Sequence, residues 1–526
     1  MRSSFCRIGL LALALIVPIV GLTSGVSDPR AEAAYATTSS NLEAWALENN
    51  ILSGYSDGTL KLDAPLTRSA AAAVLSRFAT LEHTRGNENL GNCVSTVSDA
   101  QAKNICWLQA NNLIADASAY DPTANTTRGA MATFLYRFMI NLRQDALAVT
   151  CDSSYSDVPN ANVHCKGIQW LKNTDLAAGL ATKNATGNSY SYSPEKAITR
   201  GEAVDLLYRL NHQVRVATYN VRRACIQEDI DYNRSWQQRL DNVASGIRNA
   251  SPDVVGLQEA SDVKAAKDNV GNANTCIKVA KQDAQSTSLI NKLSSDYVEV
   301  GTGIGGLHIF IKTSSIVQVG NLVTKDLLDA DTYESGLYCA KSDGLCGDQY
   351  LLIASLKMKY SGRQFTAAVT HLLASGYDAN YGSGHECNSI VTQQAQQAVA
   401  FLKPYNGSVF FFGDFNNPYT TGICTPHAKA ITGNNGSTPV FSEAREMMPV
   451  TIDNKYVNES DKYATTLSKD KNGQWLLPTV KADPTVKYDR IYVRGASVIS
   501  WVNQVQLAEP LASDHSLVYT TTLLTQ

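Results

Sequence analysis

Val409-Phe410-Phe411-Phe412-Gly413-Asp414-Phe415-Asn416 is the stretch on which the fold turns. Four bulky apolar residues of high β propensity run into an acid and an amide, as a strand does where it leaves a core. Outward from it the pattern recurs in order. The run 214–219 closes on Asn220, and 254–257 leads through Gln258 to Glu259. The run 365–370 closes on His371. Asp489 enters a strand within Tyr488-Asp489-Arg490-Ile491, and Asp514-His515 precedes the apolar Leu517-Val518. Between these runs lie helical stretches at 235–248 and 389–402, so residues 213–526 are expected to form one α/β domain.

Each strand-end residue alone is ordinary: Asn closes turns, and Glu commonly begins a helix. Together they offer four carboxylates, two amides and two histidines. Carboxylate and amide oxygens suit a hard divalent ion such as Mg²⁺, and imidazoles beside such an ion move protons.

The order Thr218-Tyr219-Asn220, Gln258-Glu259, Thr370-His371-Leu372, Gly413-Asp414-Phe415-Asn416, Tyr488-Asp489-Arg490-Ile491, Ser513-Asp514-His515 resembles the endonuclease/exonuclease/phosphatase superfamily. The resemblance implies a four-layer α/β sandwich of two packed β-sheets flanked by helices. It implies Glu259 as principal metal ligand, with Asn220 and Asp514 on or near the same ion, and Mg²⁺ as that ion, with Ca²⁺ or Mn²⁺ as alternatives. Asp414 and Asn416 would orient water and phosphate. His515 would be the base, held by Asp489, and His371 would contact the phosphate or assist the leaving oxygen. It leaves the acid that orients His371 unplaced, and 260–350 matches no motif.

The N-terminal part is repetitive. Trp45, Trp107 and Trp170 each precede a Thr-Arg pair, Thr67-Arg68, Thr127-Arg128 and Thr199-Arg200, with a further arginine nine residues on at Arg77, Arg137 and Arg209. Each unit reads as a Trp-bearing helix, a loop, and a second helix capped by the threonine. Residues 34–212 resemble three surface-layer homology repeats, at about 35–88, 89–148 and 149–212. That resemblance implies an all-α three-repeat prism binding cell-wall polysaccharide, with Arg68, Arg128 and Arg200 as anion contacts. Ser69-Ala70 and Gly129-Ala130 replace the usual Ala-Glu, and only Gly201-Glu202 keeps the acid.

The first residues resemble an export signal: Arg2 and Arg7, an uncharged run over 8–27, and Ala31-Glu32-Ala33 as a cleavage site, giving a signal over 1–33. An uncleaved anchor is the rival reading, diluted by Gly9, Pro18, Gly21 and Ser24. No later segment is apolar enough to span a bilayer. Eleven cysteines, with Cys6 inside the signal, leave an even number for an oxidising setting. Nearest neighbours suggest Cys93–Cys106, Cys151–Cys165, Cys225–Cys276, Cys339–Cys346 and Cys387–Cys424. A formal net charge of −3 argues against bulk coating of nucleic acid but not against a local grip on phosphates. The expected function is therefore a secreted, wall-attached, metal-dependent phosphodiesterase acting on DNA or RNA. A sphingomyelinase-like or other phosphodiesterase or phosphatase of the same superfamily, and a catalytically dead surface-binding protein, are the alternatives.

Overall fold

The alternation of apolar and polar positions in the C-terminal half resolves, in the computed structural model, into two stacked sheets. The structure describes residues 39–524 apart from 85, 91–92, 94–98, 144–148, 153–154, 178, 184–189, 225–233, 261–283, 328–348, 374–388, 418–424, 434–439, 449–456, 469, 471–475, 479, 481–486 and 507–510.

The first sheet has the order β14-β15-β3-β4-β6-β5, built from β3 (Gln213–Asn220), β4 (Val254–Gln258), β5 (Tyr297–Glu299), β6 (His308–Lys312), β14 (Ala496–Gln504) and β15 (Leu517–Leu524). The second has the order β12-β13-β11-β10-β9-β7, with β8 also on β9. Its strands are β7 (Ile316–Gln318), β8 (Val323–Asp326), β9 (Tyr350–Met358), β10 (Gln364–His371), β11 (Ser408–Asp414), β12 (Ser442–Glu443) and β13 (Asp489–Arg494). Each sheet holds one parallel pair, β3 with β4 and β10 with β11, and the other pairings are antiparallel. A parallel pair needs a crossover, and a helix supplies it in each case. Trp236–Ala250 lies between β3 and β4, and Ile390–Leu402 between β10 and β11. Each follows an N-cap serine, Ser235 and Ser389.

The core between the sheets takes alternate residues: Val214, Val216 and Val254 from one side, Ala367, Val369, Phe410, Phe412, Ile491 and Val493 from the other. Gly256 lets the sheets approach, since a Cβ there would stand 2.5 Å from both Phe412 and Val369. Outside, Trp236–Ala250 and Gln285–Leu293 cover the first sheet, and Ile390–Leu402 covers the second. This is the expected α/β sandwich of two packed sheets with helices on its faces.

The repeats form a separate core running from Leu42 to Leu210. Their helices are Ser39–Glu48, Arg68–Leu81, Asp99–Ala110, Arg128–Asn141, Cys165–Asn173 and Arg200–His212. Thr67, Thr127 and Thr199 each cap a helix by accepting from the backbone N–H three residues on, at 3.3, 3.1 and 3.1 Å. The segments before these caps close a ring: Leu66 N donates to Ile198 O, Ile198 N to Thr126 O, and Thr126 N to Leu66 O. The part is not purely helical. Thr182–Lys183 (β1) pairs with Tyr190–Ser191 (β2), a two-stranded addition that helix periodicity did not signal. Cys93–Cys106 and Cys151–Cys165 are disulfide-bonded as expected; the other three suggested pairs lie outside the described residues. The last repeat helix ends at His212 and β3 begins at Gln213. No helix among the described residues is long and apolar enough to cross a membrane.

Candidate active site

The polar residues gather where the inward-facing alternation of the core runs out. On β3, Val214 and Val216 face the other sheet, and Asn220 continues that parity at the strand's end. On β10, Phe365, Ala367 and Val369 are followed in the same parity by His371; on β11, Phe410 and Phe412 by Asp414. β13 enters antiparallel with Asp489 opposite Asp414, and His371 lies opposite Asp414 on the other side. Parallel strands bring their carboxyl ends to the same edge, so residues far apart in sequence meet there.

Glu259 breaks that rule. By alternation it would follow Val255 and Leu257 toward the helix layer. Its φ of 61° is left-handed, which costs a non-glycine residue energy. The turn leaves its carboxylate beside Asn220, whose Nδ2 donates to Glu259 Oε1 and to Asp414 Oδ2, each at 3.1 Å. The Arg223 backbone N–H donates to Glu259 Oε2 at 3.0 Å. Burial alone would push the Glu259 carboxyl up, but Arg223, His371, the Asn220 hydrogen bond and His515 together hold it at about 2.

His515 Nδ1 donates to Asp489 Oδ2 at 2.9 Å, which turns Nε2 toward Asp414 Oδ2 at 3.7 Å. Burial opposes charge on this ring, yet the Asp489 and Asp414 carboxylates outweigh it and raise its pKa well above the ordinary histidine range. Burial also raises Asp489, in part against the pull of His515. His371 Nε2 stands 3.5 Å from the same Asp414 oxygen, so the acid beside His371, unplaced from sequence, is Asp414. Asn416, also left-handed at φ 48°, donates its Nδ2 to Leu372 O at 2.8 Å and its backbone N–H to Asp414 Oδ1 at 2.8 Å. It braces Asp414.

Asp514, expected on or near the ion, is paired with an arginine. Its Oδ2 accepts from Arg222 Nη1 at 2.5 Å, and Arg222 is 8 % exposed. Sequence reasoning passed over Arg222 and Arg223, although they stand two and three residues after Asn220. It also passed over Ser513, whose Oγ donates to Asn220 O at 2.7 Å, and Thr465, which accepts from Asp489 N at 3.2 Å. A buried group of His427, Glu443 and Arg490 on the outer side of β12 and β13 went unnoticed too. No single motif carried it.

The donor set fits a hard divalent ion. Asp414, Asp489 and His515 place ligand atoms within 4.8 Å of one another. Asn220 links Asp414 to Glu259, adding a further carboxylate oxygen. Glu259 and Asp414, with the Asn220 amide, are the residues that would hold such an ion.

The repeat arginines are placed unequally. Arg128 is buried, donating to Leu180 O and Tyr192 O and pairing with Glu202 at 2.5 Å. Arg200 is buried, donating to Leu60 O at 2.7 Å and Ser53 O at 3.0 Å. Arg68 is half-buried over the Tyr120 ring at 4.2 Å. Of the three arginines expected as anion contacts, Arg128 and Arg200 have their guanidiniums turned inward onto partners of their own.

Two stacked sheets bring carboxylates, an amide and two imidazoles together around Asp414, a donor set that fits a hard divalent ion. The chain belongs to the Endonuclease/Exonuclease/phosphatase family, whose model matches residues 217–515. It is similar to Nocturnin of Drosophila melanogaster, 26 % identical over 185 residues, which are 35 % of this chain and 24 % of that protein. The match thus spans about a quarter of that relative's length. Among solved structures, an endonuclease/exonuclease/phosphatase from Bacteroides vulgatus is 20 % identical with a TM-score of 0.38, covering 59 % of this chain and 99 % of its own. The human Nocturnin catalytic domain with bound sulfate is 16 % identical with a TM-score of 0.37, covering 60 % and 94 %. D. rerio TDP2 complexed with a single-strand DNA product is 16 % identical with a TM-score of 0.36, covering 59 % and 98 %.

Proposed function

We propose that the protein hydrolyses phosphodiesters, with DNA or RNA outside the cell as its substrate. The observation that carries this is the Asp489–His515 pair facing Asp414, beside the Asn220-bridged Glu259. Asp489 fixes the Nδ1–H tautomer of His515, so Nε2 points at the acids. The Asp489 and Asp414 carboxylates favour the protonated ring. Its first service is to hold a phosphate oxyanion and give a proton to the leaving oxygen, and it acts as a base only after that proton has gone. Asp414, braced by Asn416, orients the attacking water, and His371 binds a second phosphate oxygen. A divalent ion at Glu259 would neutralise charge developing on the phosphate.

Export through the 1–33 signal and wall attachment through 34–212 complete the reading. The two disulfides support an oxidising compartment. For the polysaccharide, the half-buried Arg68 is the anion contact we favour, with Arg128 and Arg200 shaping the ring around it.

Plasmid DNA incubated with the full chain and Mg²⁺, with and without chelator, tests the activity. Nicking that chelator stops is expected; intact plasmid and intact RNA would end the nuclease reading. A lipid phosphodiester is the second reading. Leu476, Leu477 and Val480 are 45, 46 and 58 % exposed around Pro478, which lines a polar groove with His515. Choline release from sphingomyelin vesicles, without nicking, would establish it. Repeats that fail to pellet with purified bacterial walls would reject attachment.

A further inference from the structure

We infer that this site takes one divalent cation rather than two, because Arg222 is the built-in counter-cation of Asp514. The inference rests on the metal-dependent reading above. Four carboxylates surround the mouth; Asp489 is taken by His515, and the other three fall into two groups. Glu259 and Asp414 share a neutral amide, Asn220 Nδ2, which satisfies a hydrogen bond to each but cancels no charge. Asp514 is engaged at both oxygens: Oδ2 with the Arg222 guanidinium at 2.5 Å, Oδ1 with Ser513 Oγ at 3.4 Å.

Arg222 is not a surface cation that can swing away. It is 8 % exposed, and its backbone is fixed on each side. Its N–H donates to Asn220 Oδ1 at 3.0 Å, while its carbonyl accepts from Arg239 Nη2 at 3.1 Å and Gln285 Nε2 at 2.8 Å. The left-handed φ of 55° at Arg222 belongs to the same turn. A second ion on Asp514 would displace a buried guanidinium or lie against it, and like charges at close range in a poorly solvated place repel strongly. Charge that another site of this kind would leave to a second cation is here supplied covalently by the chain, next to the Asn220 that positions Glu259. Asp514 is then a positioning residue for Arg222 and not a metal ligand.

The test is Mn²⁺ binding to the full chain by titration calorimetry and electron paramagnetic resonance. The wild type should bind one ion that E259Q abolishes or weakens by at least about thirtyfold, with an uncoupled spectrum. D514N should leave one ion bound with an uncoupled spectrum, since Asp514 carries none. R222M, checked for folding by circular dichroism, should admit a second ion and give a spin-coupled spectrum. A coupled pair in the wild type, or a second wild-type ion that D514N removes, overturns the inference while leaving metal dependence intact. No ion sensitive to E259Q would overturn the metal reading and the inference with it.

Discussion

Arg215, near the start of the sandwich's first sheet, holds Asp175 of the third repeat at 2.9 Å, and the same Asp175 oxygen accepts from Ser500 and Thr521, each at 2.8 Å. The guanidinium also donates to Asn173 O and Ala250 O, so it bridges both parts of the chain. Tyr208 of the last repeat helix packs on Ile499 and Leu523 nearby, and Tyr360 of the sandwich donates to Arg143 O.

Because Arg215 is buried, D175A strips a counter-ion from a charge that has no route to water. The expected cost is about 3–5 kcal/mol of unfolding free energy, measured by urea denaturation. A loss below about 1 kcal/mol would mean water reaches the guanidinium, and the clamp idea would fall.

The Asp489–His515 pair predicts a catalytic loss without a folding loss. H515A should lower kcat by about 10²- to 10⁴-fold on plasmid DNA. D489N should lower it as well while leaving the melting temperature close to wild type, since an amide still accepts from Nδ1. A variant that keeps more than about half its rate removes His515 from the chemistry.

Ligand-linked stability gives a test independent of turnover. Mg²⁺ at about 100 times its Kd should raise the unfolding free energy by about 2.7 kcal/mol, and chelator should reverse it. E259Q should show no such rise.

His212 predicts an acid sensitivity at the junction of the two parts. Burial and the nearby Arg363 lower its pKa from 6.5 to about 3, against a hydrogen bond with Tyr208 O. Below pH 6.5 the unfolded chain protonates this ring, whereas the folded chain does not until near pH 3. Stability from this group is therefore full above 6.5 and falls on acidification, by up to about 1.4 kcal/mol per pH unit. H212F should flatten that slope between pH 6 and about 4 in urea titrations; equal slopes would contradict the burial argument.

G256A tests how closely the sheets pack. The new methyl meets Phe412 and Val369 at 2.5 Å, and an overpacking cost of about 1–3 kcal/mol is expected.

Much of the site was legible because strand parity is local. Asn220, His371, Asp414 and Asp489 each extend an apolar alternation by one inward step, and chain order then fits one family. Glu259 was legible by motif alone, since its orientation depends on a left-handed turn that alternation contradicts. The caps at Thr67, Thr127 and Thr199 were legible for the same local reason. The two-stranded β1–β2 addition was not, its strands being two residues each.

By itself the amino-acid order determined the strand and helix periods, the threonine caps, and which residues stand at the ends of apolar runs, because these follow from neighbours a few positions apart. Only the tertiary structure decided which charges meet. Arg222 took Asp514, Glu202 took Arg128, and Asp414 served both His371 and His515. A buried charge pairs with whatever opposite charge packing brings within a few ångströms, and that distance is fixed by how sheets and repeats stack, not by spacing along the chain.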